Sequence, residues 1–147
     1  MGITNGDFET GDTTGWTIDA AGGDVGDTGT AAAAAGAKKT GSYGLQMQTI
    51  ETHESGCYSY SYVSQNIGGV AAGQKIQFWY NVAAGVKDAS HTWSILIELI
   101  DELYDSEVIV DLDSPPSPGW NYVDHTVVKE LTGDVTLCFY MEMGDLG

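Results

Sequence analysis

The sequence predicts an all-β chain, a two-sheet antiparallel β-sandwich of the jelly-roll kind. Three observations carry this. Apolar and polar residues alternate with a period of two through most of the chain beyond residue 42. The alternating runs are short and are separated by turns rich in Gly, Asp and Pro at fairly regular spacing. No amphipathic helical period intervenes, so the apolar faces must be buried sheet against sheet. The turns are long enough for crossings between sheets, which favours a jelly roll over an up-and-down barrel. An immunoglobulin-like sandwich would carry a Cys–Trp–Cys spacing that is absent.

The elements follow in order. Asn5-Gly6-Asp7-Phe8-Glu9-Thr10-Gly11-Asp12 is a run of turn dipeptides, because Gly takes positive φ freely and Asn tolerates it. Phe8 between two turns reads as an anchor for the N-terminus, and a first short strand forms around Trp16-Thr17-Ile18. Residues 20–41 are low in complexity. The five alanines 31–35 are too few to nucleate a helix, and the flanking glycines oppose one. An exposed loop holding at most a short strand is expected there. From 43 onward Tyr43, Leu45 and Met47 share a face, and 51–55 is a polar turn. In 58–67, Val63, Gln65 and Ile67 oppose Tyr58, Tyr60, Tyr62 and Ser64. In 75–82, Ile76, Phe78, Tyr80 and Val82 oppose Gln77, Trp79 and Asn81. Further strands are expected at 91–100, with Trp93, Ile95, Ile97 and Leu99 together, and at 107–112. An acidic turn at 101–105 separates these two. Pro115, Pro116 and Pro118 cannot feed a central ladder, so 113–119 is a loop. Residues 120–129 set Asn121, Val123, His125 and Val127 against Trp120, Tyr122, Asp124 and Val128. Val135, Leu137, Phe139 and Met141 make the core face of the last clear strand.

Composition narrows the function. The chain has 147 residues, enough for one domain with a single core. It carries a net charge of −16 with five lysines and no arginine. Phosphate binding uses Lys and Arg to displace counterions, so nucleic acid is excluded as a partner, and anionic membrane surfaces are disfavoured. No stretch approaches the ~20 apolar residues that span a bilayer, and no secretory signal pattern opens the chain. Cys57 and Cys138 lie far apart, and strand parity turns them to opposite faces, which favours free thiols over a bridge.

The opening Asn5-Gly6-Asp7-Phe8-Glu9 with Gly15-Trp16 is similar to the start of the jelly-roll, galactose-binding-like carbohydrate-binding modules. Gly41-Ser42-Tyr43-Gly44-Leu45, Val63-Ser64-Gln65-Asn66-Ile67 and Ala72-Gly73-Gln74-Lys75-Ile76-Gln77-Phe78 resemble later stretches of the same family in the same order. The resemblance spans most of residues 3–142. It implies a non-catalytic domain that binds a polysaccharide or glycan and holds a structural calcium ion. The implied calcium ligands are Glu9, with Asp7 and Asp145 as weaker matches. Read locally, Glu9 is a cation-ligand candidate or a solvated carboxylate. The family also runs on into one more strand. Residues 1–147 read as a single domain whose final strand is shorter, cut away or supplied by a neighbouring subunit, and a missing strand would leave an edge open to self-assembly or strand exchange.

Sugar rings present flat C–H faces, so recognition needs exposed aromatics beside hydrogen-bonding side chains. The outward residues that fit are Tyr60, Tyr62, Gln77, Trp79, Asn81 and Tyr140. The alternation Tyr58-Ser59-Tyr60-Ser61-Tyr62 gives rigid amphipathic contact area with adaptable polar neighbours. The competing reading is an ordinary half-exposed strand, with Trp79 in a core. Catalytic motifs are absent. His53, His91 and His125 are scattered, and only Glu98 and Asp111, on adjacent expected strands, could pair as glycosidase carboxylates. No enzyme activity is expected. The rival to glycan binding is a structural subunit of a virion, fibre or cell-surface filament. Either role implies an extracellular, cell-surface or virion-surface location.

Overall fold

The computed structural model describes residues 2–23, 26–50, 58–82, 91–113 and 119–145, and for His91 and Asp145 the backbone alone. The expected turn at 51–55, Cys57, His53 and the three prolines lie outside the described residues. Nine strands run in order: β1 (Thr17–Gly22), β2 (Thr28–Ala34), β3 (Gly44–Ile50), β4 (Tyr58–Gly68), β5 (Lys75–Tyr80), β6 (His91–Ile100), β7 (Ser106–Leu112), β8 (Asn121–Thr126) and β9 (Val135–Asp145). One turn of 3₁₀ helix, Ala35–Ala37, follows β2, and no α-helix occurs among the described residues.

All pairings are antiparallel. One layer is a five-stranded sheet in the order β1-β4-β9-β6-β7, and β2-β3 and β5-β8 are separate pairs. The β2-β3 pair lies against β1, β4 and β9, and Phe78 of β5 meets Phe139 of β9 edge-on at 5.8 Å. The two pairs therefore cover the inner side of the large sheet. The chain alternates between layers, with β1, β4, β6, β7 and β9 in one and β2, β3, β5 and β8 in the other.

Strand parity decides what fills the space between. Val63, Ile67, Ile97, Leu99, Val135 and Leu137 from the large sheet meet Ile76, and Leu45, Met47, Phe78 and Val123 pack against them. Fully burying one such aliphatic side chain contributes roughly 1.5–3 kcal/mol. The N-terminal turn closes one end. Phe8 is buried in a left-handed conformation (φ 59°) and stacks on Trp16 at 5.4 Å, while the Trp16 indole N–H donates to the Asn5 carbonyl at 3.1 Å. Buried Gln65 ties this turn to β4, accepting from the Thr4 N–H at 2.7 Å and donating to the carbonyls of Thr4 and Gly15.

The structure corrects the reading of 20–41 as a loop, for β2 is a seven-residue strand in register with β3. Its small residues reflect close approach of backbones. A Cβ on Gly29 would sit 1.7 Å from the Tyr60 carbonyl oxygen. Beneath it Ser59 and Ser61 of β4 are fully buried, and the Ser61 hydroxyl donates to the Thr30 carbonyl at 2.9 Å. β9 also runs to Asp145, beyond the strand that the alternation marks, and lies centrally between β4 and β6.

Candidate functional site

The outer side of the five-stranded sheet has no layer over it among the described residues, and register sets what it displays. Tyr62 of β4 lies between Asp19 of β1 and Tyr140 of β9, and Tyr140 faces Leu96 of β6, which faces Asp111 of β7. One rung along, Tyr60 is flanked by Ala21 and Glu142, and Glu142 faces Ser94. Two residues further, Tyr58 faces Gly144. Residues at i, i+2 and i+4 of a strand share a face, so the Tyr–Ser alternation places three tyrosines in a row over the buried serines.

The rings form a continuous ladder. Tyr58 and Tyr60 stack at 6.2 Å, Tyr60 and Tyr140 stack at 6.4 Å, and Tyr62 meets Tyr140 edge-on at 6.4 Å. Tyr58 is about half exposed, and the other three are partly buried by one another. Two hydroxyls are held by carboxylates: the Tyr60 hydroxyl donates to Asp19 Oδ1 at 3.0 Å and that of Tyr140 to Glu142 Oε2. The bond to Asp19 raises the Tyr60 pKa, burial followed by the bond to Glu142 raises that of Tyr140, and burial followed by contact with Cys138 pushes Tyr62 up to about 12. All three stay neutral phenols at physiological pH. The five strands carry no lysine. The face is thus aromatic along β4 and β9 and acidic at Asp19, Glu98, Asp111 and Glu142.

At one end it deepens into an open cavity of about 370 Å³ lined by Tyr62, Asn66, Tyr104, Asp134, Thr136 and Cys138. Cys138 is a free buried thiol 2.9 Å from the Tyr62 hydroxyl, and burial raises its pKa. A thiol kept protonated is a poor nucleophile.

The six residues expected to bind together divide between two surfaces. Tyr60, Tyr62 and Tyr140 share the ladder. Gln77 and Trp79 do not join them, because β5 pairs with β8 in the opposite layer rather than with β4. Trp79 points outward as its parity requires, 46% exposed, with its ring 4.7 Å from that of Tyr122. Asn81 is exposed just past the end of β5. Tyr58, Asp19 and Glu142 were missing from the expected set. Tyr58 shares the parity of Tyr60 and was legible, whereas Asp19 and Glu142 join the face only through strand order.

Glu9 is not a free carboxylate. Its oxygens accept the Ser42 N–H at 2.8 and 3.0 Å and the Tyr43 N–H at 3.0 Å, and these backbone bonds hold its pKa below the usual value. They fix the turn at Gly41, whose φ of 75° and lack of Cβ admit the carboxylate. Asp7 Oδ1 accepts from the Glu9 N–H at 3.3 Å, and the Asp145 side chain lies outside the described residues. No group of three or more ligating side chains converges among the described residues. An ionised, exposed carboxylate on a turn still suits calcium, which takes backbone carbonyls and waters for most of its six to eight oxygens.

Glu98 and Asp111 share the free face but are not opposite one another. Asp111 faces Leu96, and Glu98 faces Val108 across a bulge. The carboxylate that the alternation missed is Glu107, buried with His125 at 2.5 Å. His125 shares the inward parity of Val123 and Val127, and that inward polar side chain was the available signal.

No protein-family model matches the chain, and no curated protein matches it significantly in sequence. Solved structures do match. TmCBM61, solved in complex with β-1,4-galactotriose, superposes with a TM-score of 0.57 at 18% identity, covering 99% of this chain and 88% of that one. The fold is that of a carbohydrate-binding module. The chain also matches the enzymatically active domain of bacteriophage CBA120 tailspike protein 4, with a TM-score of 0.58 at 15% identity over 98% of its own length but only 21% of the tailspike chain. A third match, the C-terminal family 22 carbohydrate-binding module of Clostridium thermocellum Xyn10B, has a TM-score of 0.43 at 14% identity and covers 97% and 93% of the two chains. The fold shared with TmCBM61 makes the sandwich a jelly roll.

Proposed function

We propose that this module holds a neutral glycan chain against the tyrosine face of the five-stranded sheet and does not act on it chemically. The observation that carries the reading is the ladder of Tyr58, Tyr60, Tyr140 and Tyr62, laid open on one sheet face with Asp19 and Glu142 beside it. Phenol rings offer flat apolar area to pyranose C–H faces, and ionised carboxylates accept hydrogen bonds from sugar hydroxyls. The same carboxylates repel acidic sugars. The galactotriose complex of TmCBM61 makes β-1,4-galactan the first probe. Affinity electrophoresis through gels containing each of a panel of neutral polysaccharides tests the reading. Retardation by at least one of them is expected, and migration unaffected by all of them contradicts it. Such a role belongs outside the cell.

A structural role is the second reading, favoured by the match to a stretch of a phage tailspike chain. Contacts would then form at β1 and β7, the edges of the large sheet. Light scattering at high protein concentration separates the two: self-association supports the subunit reading, and a monomer removes it.

A structural calcium ion belongs to the glycan-binding proposal, with Glu9 holding it and Asp7 beside it. An ion that binds only the folded state stabilises it by about 2.7 kcal/mol at a hundred times its Kd. Thermal melting in excess calcium is therefore expected several degrees above melting in chelator. Superimposable curves eliminate the ion.

A further inference from the structure

We propose a second glycan site on the outer face of β5 and β8, independent of the tyrosine face, that takes a carboxylate-bearing sugar, a uronic-acid unit. Register places Lys75, Gln77 and Trp79 of β5 opposite Thr126, Asp124 and Tyr122 of β8. Trp79 and Tyr122 are each about half exposed, and their rings, with centroids 4.7 Å apart and tilted by 38°, pack against one another into one apolar patch. Exposed Trp paired with exposed Tyr is the sort of rigid apolar area that marks contact surfaces.

Charge selects the occupant. The Lys39 ammonium lies over the Trp79 ring, 3.8 Å from its centroid. Lys75 and Lys129 are bridged to Asp124 and Asp105, whereas no carboxylate of the described residues lies within ion-pair distance of Lys39. Asp124, on the same face, is neutralised by Lys75 at 2.9 and 3.0 Å and bonded by Gln77 at 3.2 Å. A sugar that stacks on the Trp79–Tyr122 patch and carries a carboxylate meets the Lys39 ammonium, which no carboxylate of the described residues pairs. The long side chain of Lys39 can swing aside to admit the ring while keeping its charge at the rim. Its turn is held in place by Glu9, which binds the N–H groups of Ser42 and Tyr43. The two faces lie on opposite layers and differ in charge. The five strands of the tyrosine face carry carboxylates and no lysine, and the Trp79 face carries the Lys39 ammonium, without a carboxylate partner among the described residues.

Isothermal titration of the 147-residue chain with trigalacturonate and with galactotriose, at 0.15 M salt to screen the net charge, tests the site. Trigalacturonate is expected to bind wild type and Tyr60→Ala equally, and at least tenfold more weakly to Trp79→Ala and Lys39→Gln. Unchanged melting temperatures confirm that these surface variants fold, and Trp79→Phe is expected to restore most of the affinity. No heat with trigalacturonate on wild type, or a loss caused by Tyr60→Ala and not by Trp79→Ala, overturns the second site. Neither result touches the neutral-glycan reading, which stands or falls with the neutral polysaccharide panel.

Discussion

Replacing Glu107 by Ala is expected to lower stability by about 3–5 kcal/mol, the cost of removing one partner from a buried charged network. Glu107 is 5% exposed. Its carboxylate accepts the Val128 N–H at 3.0 and 3.1 Å and the Lys129 N–H at 2.8 Å, and it meets His125 Nε2 at 2.5 Å. The substitution strands two backbone donors and an imidazole near the start of β7 and the end of β8. Glu107→Gln keeps an acceptor and should lose less. Denaturant unfolding at pH 7 measures both, and a loss under about 1 kcal/mol for the Ala variant contradicts the assignment. The pH dependence has a definite sign. Burial raises the Glu107 pKa, but the N–H groups of Lys129 and Val128 and the His125 ring outweigh it, so the folded value lies below the ordinary 4.5. The group's contribution is complete above 4.5 and is lost as pH falls through the lower folded value. Asp101 acts in the same direction, lowered first by the Thr132 N–H bond. Glu107→Gln should therefore flatten the acid limb of the stability profile.

The second large effect concerns binding. Tyr60 sits at the middle of the ladder, stacked on Tyr58 and on Tyr140, with its hydroxyl on Asp19. Central aromatic anchors carry about 2 kcal/mol or more of a binding energy, so Tyr60→Ala is expected to weaken glycan affinity roughly thirtyfold. Val128→Ala, at a 74% exposed position away from both aromatic surfaces, should leave affinity and melting temperature unchanged. Titration calorimetry with the best polysaccharide of the neutral panel reads both variants. Equal affinity for Tyr60→Ala and wild type would remove the ladder from the site.

Much of this architecture was legible because alternation is local. Ile76, Phe78 and Tyr80 inward with Trp79 outward follows from a period of two, and so does the Val135, Leu137 and Phe139 face of β9. Phe8 was readable as an anchor because a lone aromatic between two turns has nowhere else to go. Two things were not local. β2 has little side-chain bulk to announce a strand, and its glycine is set by the approach of the Tyr60 carbonyl, a contact made only in the folded chain. Strand order was the other. Parity says which side chains point outward but not which sheet holds them, so Trp79 and Tyr60 were grouped although β5 and β4 lie in different layers. The carboxylates Asp19 and Glu142 entered the site for the same reason, through the neighbours that β4 acquires.

The central claim is that the uncovered side of the five-stranded sheet is where a neutral sugar chain lies. Amide chemical-shift mapping during titration with a neutral oligosaccharide tests it most directly. Shifts confined to β4, β9 and their flanking strands, centred on Tyr60 and Tyr140, are predicted. Shifts centred on β5 and β8 with the tyrosine strands silent would contradict the account.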